Sequence, residues 1–284
     1  MRKKISWGLG LLTACILLAP LAGSGQEKAP AQPPQAAAPA PPAAKQPAPD
    51  PQELIRQGCD FLKNQAQFSF KAEVLNDRVY QGGKKLQFAQ EVTASFRRPD
   101  KLRLEGEGDQ DSKLLIFDGK TLTLYDKNKN FYADLGINGD IDAALDKAYK
   151  EYGLRVGLAD LGSAKLCDHV GQGLTHALYV GLHRVRGVPC HHLAFDRKDI
   201  QYQVWIEAGD KPVLRKILVT QKQLPASPQW TAYLSDWNFS PALADNLFAF
   251  TPPAGAQKIK FMPVKSSETP APKTVKPKKK GGKS

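Results

Sequence analysis

Where the histidines of this chain concentrate, from His183 to His192, no partnered serine or aspartate pattern accompanies them, so nucleophilic catalysis has no foothold there. Cysteine is scarce as well, with four in 284 residues, which excludes a disulfide-dense mini-domain. Acidic residues are outnumbered 28 to 40 by lysine and arginine, for a net charge of +12. That excess sits mostly at the ends. Residues 2–4 carry three positive charges and the segment after Val264 a net six, leaving about three for everything between. The central region is therefore not basic enough to imply a nucleic-acid partner. No motif calls for a cofactor.

Two stretches lack any globular pattern. Residues 25–50 are almost entirely Pro, Ala, Gln and Lys, which cannot bury enough apolar surface to offset the entropy of ordering, and read as an extended linker. Residues 263–284 are Lys, Pro, Ser and Thr without hydrophobic periodicity, and read as a disordered basic tail. Such a tail is suited to non-specific contact with an anionic surface. Aromatics are not interleaved with its lysines, so no specific nucleic-acid recognition is expected.

The long apolar run is at the start. Arg2, Lys3 and Lys4 precede Ile5 to Ala22, and Ala22-Gly23-Ser24 supplies small residues for cleavage. Residues 1–24 are expected to be a secretory signal peptide, which makes the mature protein periplasmic. Leu12-Thr13-Ala14-Cys15 resembles a lipobox, so lipid anchoring at Cys15 is the second choice; a retained membrane span is the third. Export leaves three cysteines. Cys167–Cys190 is the disulfide expected first, with Cys59 a buried thiol; three unlinked core cysteines is the alternative.

Between the two tails, residues 51–262 read as one domain. Pro51–Gln65 has Asp50 at the N-cap position, proline in the first turn and an apolar stripe of Leu54, Ile55, Gly58, Phe61 and Leu62, and is expected to be helical. Short alternating segments follow: Phe68–Leu75, a turn near Asn76-Asp77, Val79–Tyr80, Leu86–Arg97, Lys101–Glu107, Lys113–Phe117, Thr121–Asp126 and Phe131–Leu135. In them one apolar face alternates with a polar one, the pattern of an antiparallel meander wet on one side. Asn138–Tyr152 changes period, with Ile141, Ala144, Leu145, Ala148, Tyr149 and Tyr152 at helical spacing. Gly153–Gln172 is irregular. Strands return at His176–Arg186, His191–Asp196, Ile200–Glu207, Leu214–Thr220 and Trp230–Phe239. In Ile200–Glu207, Tyr202, Val204 and Ile206 share one face, and Gln201, Gln203 and Trp205 the other.

Three segments carry a resemblance. Phe96–Asp126 has a strand ending in Arg-Pro, then a strand with alternating Arg, then an Asp-Gly-Lys hairpin. Gly187–Trp237 contains Cys190-His191-His192-Leu193-Ala194-Phe195 and Pro212-Val213-Leu214-Arg215-Lys216; Phe248–Gly255 has the form Phe-x-Pro-Pro-x-Gly. These resemble the LolA/LolB-like outer-membrane lipoprotein carrier superfamily, and within it the predicted periplasmic domain-of-unknown-function family 2092. The resemblance implies a mainly β (α+β) fold, a curved antiparallel half-barrel (an unclosed β-barrel) with helices on its concave face. It also implies an apolar cavity there for a lipid or a lipoprotein acyl chain. On strand parity Ala94, Phe96, Leu102, Leu104, Leu115, Phe117, Leu122 and Leu124 are the candidate lining residues. An envelope sensor or protein-interaction module of the same fold, with no transported ligand, is the alternative; in either case the protein is expected not to be an enzyme.

Two further groupings invite chemistry. Cys190-His191-His192 offers zinc ligands, but on a strand Cys190 and His192 share a face that His191 leaves, so a buried structural pair is expected and no metal. Glu105, Glu107, Asp109 and Asp111 offer paired carboxylates; interleaved with Gly106 and Gly108, they read as a solvated hairpin tip instead. Arg97, Arg98, Arg103, Arg215 and Lys216 are read as the wet face of the strands.

Overall fold

Three α-helices and twelve strands, wound from both ends toward one central strand, organise the computed structural model, which describes residues 48–264. Asp50 caps α1 (Pro51–Lys63) by accepting the Gln52 N–H at 2.9 Å. The chain then enters β1 (Gln67–Val79) and a meander of β2 (Lys85–Arg97), β3 (Lys101–Gly108), β4 (Ser112–Phe117), β5 (Thr121–Asp126) and β6 (Phe131–Gly136). After α2 (Ile141–Tyr152) and the short α3 (Leu166–Gly171), a second meander runs β7 (His176–Val185), β8 (Val188–Asp196), β9 (Ile200–Glu207), β10 (Leu214–Gln221) and β11 (Gln229–Asn238). The two meet where β11 pairs antiparallel with β1, and the two-residue β12 (Gln257–Lys258) adds parallel to β6. The sheet order β12-β6-β5-β4-β3-β2-β1-β11-β10-β9-β8-β7 never closes on itself. This is the mainly β, curved unclosed barrel that the resemblance implied, built from the antiparallel meander that the alternation implied.

Parity fixes the faces. Phe68, Phe70, Ala72 and Val74 of β1 point inward with Ala94 and Phe96 of β2 and Leu102 and Leu104 of β3. α2 lays Ile141, Ala144 and Ala148 on this surface, capped by Asp140 accepting from the Ala143 N–H. Over the other meander, Leu54 and Ile55 of α1 and Val170 of α3 cover Leu193, Phe195, Tyr202, Val204 and Ile206. Both helical covers therefore lie on the concave face.

Three sequence expectations are corrected. No turn interrupts β1 at Asn76-Asp77: the Asp77 carboxylate accepts from the Gln229 backbone N–H at 3.0 Å, from Gln87 and from Lys85, so it ties three strands together instead of bending one. Second, the disulfide is Cys59–Cys167, joining α1 to α3 across a Cα separation of 5.4 Å, while Cys190 is a buried free thiol. Cys190 and Leu193 have opposite parity on β8, so Cys190 faces outward under Val185 and Trp205, with the sheet between it and Cys167. Third, Arg98 does not belong to the wet face. Its guanidinium lies over the Phe68 ring and donates to the carbonyls of Gln65, Leu161 and Gly162, and burial pulls its pKa down. It fastens the 3₁₀ turn Ala159–Gly162 to the sheet. Gly162 lets that turn come close: a Cβ there would stand 2.4 Å from the Phe96 ring.

Candidate functional site

The concave face is covered unevenly. Toward the Phe96 end of β2, the helix α2 and the 3₁₀ turn bury everything: Ala94, Phe96, Leu102 and Phe117 have no exposed surface and Leu122 only 1%. Phe68, Phe70, Phe96 and Trp237 stack there with ring centres 4.6–6.4 Å apart. Toward the other end of the same strands the cover stops. The segment from Leu154 to Leu158 crosses the opening with Leu154, Val156 and Leu158 turned to the sheet, and leaves a cavity of about 400 Å³.

Of the eight candidate lining residues, Leu104, Leu115 and Leu124 border this cavity. Ala94, Phe96, Leu102, Phe117 and Leu122 do not; they are the floor on which the helix packs. The sequence reading missed Val74, Val92, Leu154, Val156 and Trp230, which complete the apolar wall. A signal was present: Leu154, Val156 and Leu158 alternate through a stretch read as irregular. Gly106 contributes by what it lacks. It follows Leu102 and Leu104 on the inward face of β3 but offers no side chain, and the Gln90 amide lies where its Cβ would be. The opening is rimmed by polar groups: Asn76, Arg78, Gln90, Lys113 and Arg155.

The groupings weighed for catalysis have structural explanations. Burial alone would raise the pKa of Glu105, but hydrogen bonds from Lys127 and Arg103 hold it below the ordinary carboxylate value. Lys127 bridges Glu105 and Glu107 at 2.5 and 2.6 Å, an ion-pair ladder along the outer face rather than an acid kept protonated for catalysis. His192 is stacked on Trp205, its Nε2 is engaged with Gln203 at 2.9 Å, and burial lowers its pKa. His183 joins it through an Nδ1–Nδ1 contact of 3.0 Å, on the face turned away from the cavity. Cys190, buried beneath them, has its pKa raised by that burial, which suits an inert thiol. Asp60 stands against the Cys59 and Cys167 sulfurs, but these are bonded to each other and so are not thiolate ligands. Among the described residues, no helix is long and apolar enough to cross a membrane.

The fold is thus a half-barrel opened along one side, with helices across its hollow and space left beside them. The family model of predicted periplasmic proteins known as DUF2092 matches residues 51–262, and the chain belongs to that family. It is accordingly a periplasmic protein; the leader at residues 1–24 and the lipobox at Cys15 lie outside the described residues. No curated protein matches the chain. Among solved structures, it is similar to the Mycobacterium tuberculosis lipoprotein LppX at 17% identity, over 66% of this chain and 94% of that one, with a TM-score of 0.41. A LolA superfamily protein from Nitrosomonas europaea shares 10% identity over 72% of this chain and 99% of its own, TM-score 0.35. The Pseudomonas aeruginosa MucA/MucB complex shares 14% over 70% and 60%, TM-score 0.38.

Proposed function

We propose that the protein is an exported, non-enzymatic carrier that holds a lipid or a lipoprotein acyl chain in the cavity at the open end of its concave face. What supports this is one observation: about 400 Å³ of space walled by Val74, Val92, Leu104, Leu115, Val156 and Trp230, in a fold whose remaining concave surface is filled. That volume is within the roughly 300–1,000 Å³ of small-molecule sites, and its apolar wall with a polar rim is the usual composition of such sites. In this reading residues 25–50 are a spacer and residues 263–284 contribute non-specific contact with an anionic surface. Of these, residues 25–47 and 265–284 fall outside the described residues. The described chain ends beside the cavity wall, where the Val264 N–H donates to the Glu151 carbonyl and Phe261 packs on Tyr152.

Native mass spectrometry of protein purified from the envelope without detergent tests the carrier reading. Wild type is expected to retain lipid, and Leu124→Trp combined with Val156→Trp, which fills the cavity, to lose it while keeping its melting temperature. A wild type that carries no lipid and takes up none when offered it defeats the proposal.

A second reading, a protein-interaction module, is favoured by β7. This strand ends the sheet, with one backbone edge unpaired among the described residues and Leu178, Val180 and Leu182 exposed. An edge of that kind accepts an added strand. A partner captured by wild type and lost on Val180→Pro would support this reading.

A further inference from the structure

The rim of the cavity carries an unbalanced charge that the apolar wall does not explain. Three cations border it: Arg78, Lys113 and Arg155. Asp111, the acidic residue of the lining, is occupied by Lys113 at 2.8 Å. The two guanidiniums have no such partner: among the described residues neither makes an ion pair or a side-chain hydrogen bond. Instead each is parked on an aromatic ring, Arg78 over Phe88 with 5.9 Å to the ring centre and Arg155 over Tyr149 at 3.8 Å. Asp160 senses the charge of Arg155 without pairing with it. Phe88 itself borders the cavity, so Arg78 is held at the boundary between apolar wall and solvent.

Elsewhere in the barrel Arg97, Arg103, Arg186 and Arg215 are each paired with a carboxylate, and Arg98, Arg184 and Arg197 donate to backbone carbonyls; Arg78 and Arg155 have neither kind of partner among the described residues. A guanidinium is planar, more weakly hydrated than an ammonium, and matches carboxylate and phosphate oxygens in pairs. Arginines spread on rings keep that fork available. A third polar group faces the same space: Gln110 Oε1 is buried against the cavity without a hydrogen-bond partner. Rotation of its amide would present two N–H donors in place of the oxygen. Buried polar atoms are ordinarily satisfied, so an occupant that bonds this amide would remove an anomaly.

We infer that the ligand is an anionic amphiphile with one hydrocarbon chain, its carboxylate or phosphate head at Arg78 and Arg155 and its chain along Val74, Leu104 and Leu124. The inference rests on the carrier reading and specifies its substrate class. The volume, at the low end of the range for ligand sites, suits one chain better than several.

Titration of the delipidated full-length mature protein with three probes of equal chain length separates the possibilities. The probes are myristate, tetradecyl phosphate and uncharged monomyristoyl glycerol, each followed by displacement of Nile red, with stoichiometry from native mass spectrometry. At least one anionic probe is expected to bind at least tenfold more tightly than the neutral one. Arg78→Gln with Arg155→Gln is expected to abolish that preference while leaving affinity for the neutral probe within twofold; Arg78→Lys with Arg155→Lys retains part of it. Preference for myristate over the phosphate, or the reverse, identifies which head the site takes. Equal binding of all three by wild type overturns the anionic assignment and leaves the carrier reading standing. Binding of none defeats the carrier reading itself. Both arginines are exposed, so unchanged melting temperatures in the variants are the control for folding.

Discussion

The two halves of the concave face are built from the same alternating strands yet finish differently. On the β7–β10 half, α1 and α3 cover Leu193, Phe195, Tyr202, Val204 and Ile206, and the Cys59–Cys167 bond locks the two helices together. On the β2–β5 half, α2 and the 3₁₀ turn cover only one end of the strands, and the other end keeps its hollow. The closed half carries a covalent tie between the helices that cover it. Among the described residues the open half leaves apolar surface uncovered, as the proposed carrier role requires.

Breaking the tie is the largest expected perturbation. The bond closes a loop of 108 residues, for which chain entropy gives a stabilisation of about 4–5 kcal/mol. Cys59→Ser with Cys167→Ser is therefore expected to lower the denaturant midpoint strongly, and reductant to do the same to wild type. Cys190, with its raised pKa and buried position, is expected to stay unalkylated by iodoacetamide until the protein unfolds. If the double variant unfolds with wild-type energetics, the closed half does not depend on its tie.

The second perturbation compares the ends of one face. Phe96→Ala removes a fully buried ring stacked 4.7 Å from Phe68 and is expected to cost roughly 3–4 kcal/mol. Leu124→Ala, at the half-buried wall of the hollow, is expected to cost about 1 kcal/mol, because a side chain beside existing space creates little new cavity. Equal costs in urea melts would mean that the hollow is filled in solution.

The third perturbation concerns the joint between the halves and depends on pH. Burial would raise the Asp77 pKa, but the hydrogen bonds from the Gln229 N–H, Lys85 and Gln87 prevail and hold it below the ordinary aspartate value. A folded-state pKa below the unfolded one gives stability that is complete above the unfolded value, about 3.9, and lost as pH falls through the folded value. Asp77→Asn is expected to lose about 1–2 kcal/mol at pH 7, with the gap from wild type narrowing below about pH 4. A gap that stays constant in acid would separate the carboxylate's charge from its role in joining β1 to β11.

Much of the molecule was legible before any coordinates. Strand after strand fell where alternation put it, and Asp50 caps α1 as its position in the sequence implied. Readings failed where a side chain acted across the sheet. Asn76-Asp77 has the composition of a turn, but the Asp77 carboxylate is used by β11, 152 residues away. Arg98 has the composition of a wet strand end, but its donors meet carbonyls of the Leu161 region. Cys167 pairs with Cys59 rather than Cys190 because strand parity turns Cys190 to the other side, a consequence visible only once α3 is placed.

The sequence by itself determined the periodicities, hence which residues face inward and that the sheet has one apolar side. Those are local properties, set by the two-residue repeat of a strand and the 3.6-residue repeat of a helix. Tertiary structure alone decided how far α2 and the Leu154–Leu158 segment reach along that side, and so which inward residues became core and which became wall. The reach of a cover depends on how chain segments distant in sequence meet, and no repeat within either segment encodes it.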